Sequence, residues 1–229
     1  MEDYYWDTVN ETKVGDYLTR KGREFIDSFL EDNKIGTCLD VACGSGRFSI
    51  PIFQHGINIV AVDYDLVPLK KLKAKNESLS IQICRGDANK LPFKKSSFDC
   101  VVSIETVDYL DAEKFIRQCN KLLKIDGFIL FTLSNNSSYK KYIQRALSKH
   151  RIFYRYAFHD IVSYLEKEGF KVERCIGYNW IPFKRGSNSN LIATFEILEK
   201  ILRLEYFSAF SPWVFFIAKK TKESYENTC

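Results

Sequence analysis

The chain has 229 residues, 45% of them hydrophobic, and a formal net charge of +5. That length and apolar content suit one large α/β domain, or a domain plus a small cap, with a proper core. No apolar run approaches the ~20 residues a bilayer span needs, and so mild a positive charge permits an anionic partner without demanding one.

The opening "MEDYYWD" is acidic and lacks the basic-then-apolar pattern of a secretion signal, so a cytoplasmic protein is expected. Next comes an amphipathic helix over ~16–31, with Leu18, Phe25, Ile26, Phe29 and Leu30 at helical spacing. Seven short apolar runs follow: Thr37–Val41, Asn58–Val62, Ile81–Cys84, Phe98–Ile104, Phe128–Leu133, Lys171–Ile176 and Val214–Ala218. Helical patterns alternate with them. One runs from Arg47 to Gly56, and one follows Asp65, a candidate N-cap. Another covers ~112–124, capped by Asp111 and ended by the "DG" at 126–127. A further one covers ~158–168 and stops at Gly169. Strand alternating with helix predicts an α/β fold with a mostly parallel sheet. Residues 179–211 separate the last two runs by more than a simple connection needs and carry a helical pattern at ~190–207.

Seven cysteines occur (Cys38, Cys43, Cys84, Cys100, Cys119, Cys175 and Cys229), with no C-x-x-C. Cys38, Cys84, Cys100 and Cys175 lie in strand-like runs and read as buried free thiols of a reducing compartment. Three histidines without ligand spacing predict no metal site.

Chemistry concentrates at "CLDVACGSGRF", residues 38–48. A strand ends at Asp40, and a small-residue loop with Ala42, Gly44, Ser45 and Gly46 leads into a helix. The glycines either simply turn the chain or let a ligand lie on bare backbone. The next strand ends in Asp63, 23 residues after Asp40, and the third leads to Asp87. In an open parallel sheet ligands bind at the carboxyl ends of the strands, and three successive strands each deliver an acid there. A dinucleotide fingerprint fits poorly: the frame from Gly44 reads "GSGRFS", with Ser49 where the third glycine belongs, and Asp40 would oppose a pyrophosphate. A P-loop is excluded because no G-K-[ST] occurs. Asp40 suits a ligand with a cationic amine.

"LDVACGSGRF", "AVDYD", "GDANKLPF" and "SSFDCVVSIETVDYL", in this order and spacing, resemble the class I methyltransferases that use S-adenosylmethionine (SAM). The wording is closest to the small-molecule branch (methyltransferase domain 11-like) that includes ubiquinone and menaquinone C-methyltransferases. The likeness covers ~35–135 and implies a Rossmann-like sheet of seven strands, mostly parallel, with helices on both faces. Residues 1–34 would form a helical lid segment ahead of a methyltransferase domain at 35–229, with substrate-side elements at about 136–156 and 179–211. Asp40 would hold the methionyl amine. Ala42, Gly44 and Gly46 would let the cofactor approach the backbone. Asp63 would bind the ribose, and Tyr64 would flank the adenine. Asp87 and the Ala88 backbone N–H would read the adenine, while Ile104 and Glu105 would line the methionyl side. Ala42 departs from the family, where many members have glycine.

A sulfonium methyl is already activated, so aligning a nucleophile ~3–3.5 Å away and excluding water is most of the task. Asp108, Tyr109 and His150 are the general-base candidates. A histidine frequent in relatives after the fourth strand is absent, and Tyr109 reads equally as a packed aromatic. His159 reads as structural. The [N/D]-P-P-[Y/F/W] turn of exocyclic-amine nucleic-acid methylases is replaced by "SIETVDY", and no Pro–Cys pair exists. A small-molecule acceptor, not a nucleic acid, is therefore expected, on a monomer or homodimer. A transfer RNA methylase, a non-catalytic subunit of the same fold and a nucleoside-binding protein with other chemistry stay open. From Tyr139 to Arg155, six basic residues, Arg151 and Arg155 among them, alternate with aromatics and no acid, and Lys184 and Arg185 follow later. The patch is either a solvated face or a rim for an acceptor bearing carboxylate or phosphate. In "YYWD", Tyr5 or Trp6 is expected to reach the cleft.

Overall fold

The protein's structure is a computed structural model that describes residues 4–77, 79–147 and 155–224. Seven strands form one sheet: β1 (Thr37–Val41), β2 (Asn58–Asp63), β3 (Gln82–Arg85), β4 (Phe98–Ser103), β5 (Leu123–Ser134), β6 (Phe170–Tyr178) and β7 (Trp213–Lys220). Their order is β3-β2-β1-β4-β5-β7-β6, and only β7 runs antiparallel to its neighbours. β1 pairs with β2 on one side and β4 on the other, so the connections reverse direction at β1, where an open sheet leaves a crevice at its carboxyl edge.

The helices are α1 (Tyr5–Asn10), α2 (Lys13–Asp32), α3 (Ser49–Gln54), α4 (Leu66–Lys75), α5 (Ala112–Leu122), α6 (Tyr139–Leu147), α7 (Phe158–Lys167) and α8 (Ile192–Ile201). Strand side chains alternate between two cores. On one face Phe25, Ile26 and Phe29 of α2 pack with Ile52 and Phe215, the rings of Phe25 and Phe215 stacking at 4.3 Å. On the other, Phe115, Ile116 and Cys119 of α5 and Ile161 and Leu165 of α7 cover Phe131 and Phe216, stacked at 5.1 Å. Cys38, Cys43, Cys100 and Cys119 are buried, Cys84 and Cys175 half-buried, and all six are free. Cys229 lies outside the described residues.

Several boundaries differ from the sequence reading for local reasons. α2 starts at Lys13 instead of ~16 because the Thr12 side chain accepts from the Gly15 N–H at 3.1 Å. The "DG" at 126–127 does not end α5. That helix passes directly into β5 at Leu123, and Asp126, with φ +65°, sits in the irregular stretch where β5 shifts register against β4. α8 stops at Ile201, and left-handed Arg203, φ +50°, leads into two 3₁₀ turns, Leu204–Tyr206 and Ser208–Phe210. Asp65 and Asp111 cap α4 and α5 as expected, accepting from the N–H groups of Val67 (2.9 Å) and Lys114 (3.1 Å). Among the described residues no helix is long and apolar enough to cross a membrane.

Candidate active site

The loop after β1 is held in left-handed backbone: φ is +58° at Ala42, +56° at Gly44 and +86° at Gly46. Asp63, ending β2, fastens it. One carboxylate oxygen accepts from the Gly44 N–H at 2.8 Å, the other from the Asp65 N–H at 2.9 Å. A Cβ at Gly46 would also crowd the end of the Leu72 side chain. Beneath the loop Asp40 is buried, and its carboxylate accepts from the Ser49 hydroxyl at 2.5 Å. Burial pushes the Asp40 carboxyl up to about 7. Asp63 pushes it the same way, while Ser49 and the more distant Arg47 oppose.

A cavity of about 400 Å³ lies on one side of Asp63, between Ala42, Tyr64, Asp87 and Ala88. Asp87 is exposed. Its carboxylate accepts from the backbone and side-chain amides of Asn89, both at 2.8 Å, and these hold its pKa below the usual carboxylate range. Tyr64 is exposed, with the Arg85 guanidinium 5.5 Å from its ring centre. A second cavity of about 200 Å³ lies on the other side and shares Ala42, Asp63 and Thr106 with the first, so the two are halves of one trough.

Ile104 and Glu105, just past β4, wall the second half. Glu105 has φ +63°, a left-handed conformation that is costly for a side chain. Its N–H donates to the Thr132 hydroxyl at 2.6 Å, and its carboxylate is held by two arginines, Arg47 at 3.1 Å and Arg185. Helix α1 closes this half. The Tyr4 ring overlies the bare face of Gly44, its hydroxyl 3.5 Å from where a Cβ would stand. Trp6 lies against the Arg185 guanidinium, 5.0 Å from the ring centre. Asp7 accepts from the Ser45 hydroxyl at 2.5 Å and pairs with Lys71 at 3.0 Å. Asn10 accepts from Arg47 at 2.9 Å and Arg185 at 2.7 Å. Tyr5 is 66% exposed and packs edge-on against Trp6 instead of lining the trough.

The expected site residues therefore fall into three groups. Asp40, Ala42, Gly44, Asp63, Ile104, Glu105, Trp6 and Tyr109 line the Asp40 side of the trough, and Tyr64, Asp87 and Ala88 line the other; Gly46 supports the loop from below. Asp108 and Arg155 point elsewhere. Asp108 is buried and accepts from the Ser134 N–H at 3.1 Å, its carboxyl raised to about 6 by burial, which makes it a tie between the 3₁₀ turn Val107–Tyr109 and β5. Arg155 is exposed and donates to the Leu110 carbonyl at 3.2 Å. His150 and Arg151 lie outside the described residues. Lys140, expected in the basic rim, is turned inward and donates to the carbonyls of Asn179 (2.9 Å) and Ile181 (2.6 Å). Burial lowers the Tyr109 phenol's tendency to ionise, as does nearby Asp108, so its usefulness as a base falls.

Sequence reading missed Tyr4, Asp7, Asn10 and Arg47. Tyr4, Asp7 and Asn10 recur every three residues, one helix face of polar groups ahead of a loop that needs a cover. Arg47 directly follows the loop.

The donor set fits SAM. Bare left-handed backbone lies at Gly44, a carboxylate stands at the end of β2, and Asp40 is a buried acid that makes no salt bridge among the described residues. No cluster of metal-ligating side chains occurs among the described residues.

Comparison with known proteins agrees with this geometry. Residues 39–131 match the family model described as a methyltransferase domain. The chain is 26% identical over 233 residues to the uncharacterized protein MJ1252 of Methanocaldococcus jannaschii, covering 90% of this chain and 84% of that one. It is 32% identical to the ubiquinone biosynthesis O-methyltransferase of Pelagibacter ubique over 59% of this chain, and spans 54% of that relative's length. Its fold resembles that of magnesium protoporphyrin IX methyltransferase from Synechocystis PCC 6803, solved with bound S-adenosylhomocysteine. The TM-score is 0.64 at 15% identity, over 89% of this chain and 84% of that one.

Proposed function

Because this chain belongs to the SAM-dependent methyltransferases, we propose that it methylates a small acceptor bearing a carboxylate or phosphate, bound beside Arg185. The observation that carries the reading is the Arg185 guanidinium. It stands in the trough wall with its Nε buried and without a hydrogen-bond partner, while its terminal nitrogens hold Glu105 and Asn10. Two arginines, Arg47 and Arg185, converge on the single Glu105 carboxylate at this end of the trough. A buried unpaired donor is costly unless opening of α1 uncovers it to a ligand, and guanidinium suits planar or tetrahedral anions.

SAM supplies a methyl group activated by its sulfonium. Asp40 holds the methionyl amine by ionising against it, and the two oxygens of Asp63 keep outward lone pairs for ribose hydroxyls. Tyr64 and Asp87 flank the adenine. Helix α1, fastened through Asp7 and Asn10, is the lid: it opens to admit both ligands and then keeps water from the reacting atoms. Deleting residues 1–12 then lowers turnover by a larger factor than it weakens S-adenosylhomocysteine binding. Among the described residues neither buried Asp108, tied to Ser134, nor Tyr109, whose phenol keeps its proton, serves as a strong base.

The test is transfer of tritiated methyl from SAM to a metabolite extract. Label in a small molecule retained on an anion exchanger supports the reading, and Arg185→Gln abolishes that labelling while calorimetry with S-adenosylhomocysteine stays within about twofold. Label in acid-precipitable, ribonuclease-sensitive material sinks it in favour of transfer RNA.

A further inference from the structure

Helix α8 is built inside out. Its acids face the protein. Glu196 takes both terminal nitrogens of Arg20, at 3.0 and 2.9 Å, and Glu199 accepts from the buried Tyr17 hydroxyl at 2.7 Å. Ile192 is buried at its start, but its later aliphatic residues face solvent. Ile197, Leu198, Ile201 and Leu202 are between 42% and 69% exposed, and Tyr206, Phe207 and Phe210 in the turns that follow are between 54% and 68% exposed. An ordinary surface helix shows the reverse, and single exposed apolar residues are normal where a run of seven large ones is not.

We propose that this face docks peripherally on an anionic lipid bilayer. The charges that share it select that occupant. Lys200 and Arg203 are exposed, whereas Glu196 and Glu199 are buried against α2 and Glu205 is half-buried. A second copy packed on the same face across a two-fold axis would bring Lys200 and Arg203 towards their own counterparts, with both helix acids withdrawn. A negatively charged bilayer surface meets them with attraction. Their long stems run along apolar surface while the cations reach phosphate level. Arg203 is already arranged so: its guanidinium lies 4.8 Å from the Tyr206 ring centre and donates to that hydroxyl at 3.0 Å, joining cation and aromatic at one level. Apolar side chains next to Lys, Arg and Tyr characterise helices that lie in the interface instead of spanning it. The segment leading into α8 reaches the site region, with Asn188 accepting from the Lys13 N–H at 2.9 Å and Arg185 in the trough wall.

The experiment is co-sedimentation of the whole chain with vesicles of equal parts phosphatidylcholine and phosphatidylglycerol, against vesicles of phosphatidylcholine alone, at low and high salt. Preferential pelleting with the anionic vesicles, weakened by salt, is expected. Ile197→Glu with Ile201→Glu should lower the bound-to-free ratio by about tenfold or more, the loss of apolar burial at two side chains. Lys200→Glu with Arg203→Glu should remove the preference for anionic lipid. Both pairs sit on the exposed face, so an unchanged melting point verifies the fold, and Ile201→Ser with Leu202→Ser replaces the first pair if it melts early. Pelleting that ignores these substitutions, no pelleting at all, or a dimer in light scattering that Ile201→Glu splits would overturn the proposal. No methyl acceptor enters the assay, so its outcome is independent of the proposed reaction.

Discussion

Along the edge formed by β1, β2 and β3, the site rests on strand ends and backbone. Asp40 and Asp63 stand where strands stop, and the loop between them presents N–H groups and left-handed glycines. Residues 179–211 reach the same cleft by another route. Their place depends on side chains far away in sequence: Lys140 on the carbonyls of Asn179 and Ile181, Tyr17 on Glu199, and Arg20 on Glu196. The first region is shaped mainly by its own strand ends and by the Asp63 carboxylate on the Gly44 and Asp65 N–H groups. The second is as good as the polar contacts that pin it, which frees its outer surface to take apolar residues. In the proposed reading, strand ends would hold the cofactor and contacts between distant residues would shape the acceptor's side.

The sharpest way to break this contrast is Asp63→Ala. The change frees the Gly44 and Asp65 N–H groups and removes the proposed ribose acceptor in one step. S-adenosylhomocysteine binding should weaken by about 1.5–3 kcal/mol, the scale of hydrogen bonds to a charged group. Calorimetry measures it, and an unchanged affinity would put the cofactor elsewhere. Tyr17→Phe is the matching change in the second region. The Tyr17 hydroxyl donates to Glu199 and accepts from the Asn179 N–H at 3.1 Å, both within the protein. Its loss should cost about 1–2 kcal/mol of stability, read as a lower urea midpoint with the same slope, while cofactor affinity holds. Equal damage to cofactor binding would show that the two regions are one cooperative unit.

The contrast also explains what the sequence disclosed. The acids of β1–β3 were legible because a strand's end and a loop's glycines are local facts, and the Rossmann-like sheet follows from the same alternation. Glu105 was legible as a position but not as a partner: Arg185 meets it from 80 residues further along, which only tertiary structure decides. Over ~190–207 the helical pattern was legible, yet periodicity carries no information about which side faces the core. Arg20 and Tyr17 on α2 make burial of the acids favourable and so turn the helix over. Lys140 teaches the same point. A basic residue among aromatics reads as surface, but two backbone carbonyls, of Asn179 and Ile181, draw it in.

The smallest effect concerns the pH dependence of Asp40. Its carboxyl is raised from the ordinary 3.8 to about 7, chiefly by burial. A raised acid keeps its proton longer in the folded chain than in the unfolded one. Its contribution to the stability of the ligand-free protein is therefore fully present below about pH 4 and is lost as pH rises through 7. Cofactor binding has the opposite sign if Asp40 meets the methionyl amine, because only the ionised form attracts a cation. Between pH 6 and pH 8 the ionised fraction of a group titrating near 7 rises about tenfold, and affinity for S-adenosylhomocysteine should follow it. Below pH 7 binding should release a proton, visible as a dependence of the calorimetric heat on the buffer's ionisation enthalpy. Asp40→Asn keeps the shape and the hydrogen bond from Ser49 but cannot ionise, so its affinity should be lower at pH 8 and flat across the range. A flat profile in the unaltered protein would mean that the amine is held elsewhere in the trough, and that Asp40 is a buried, protonated brace between β1 and α3.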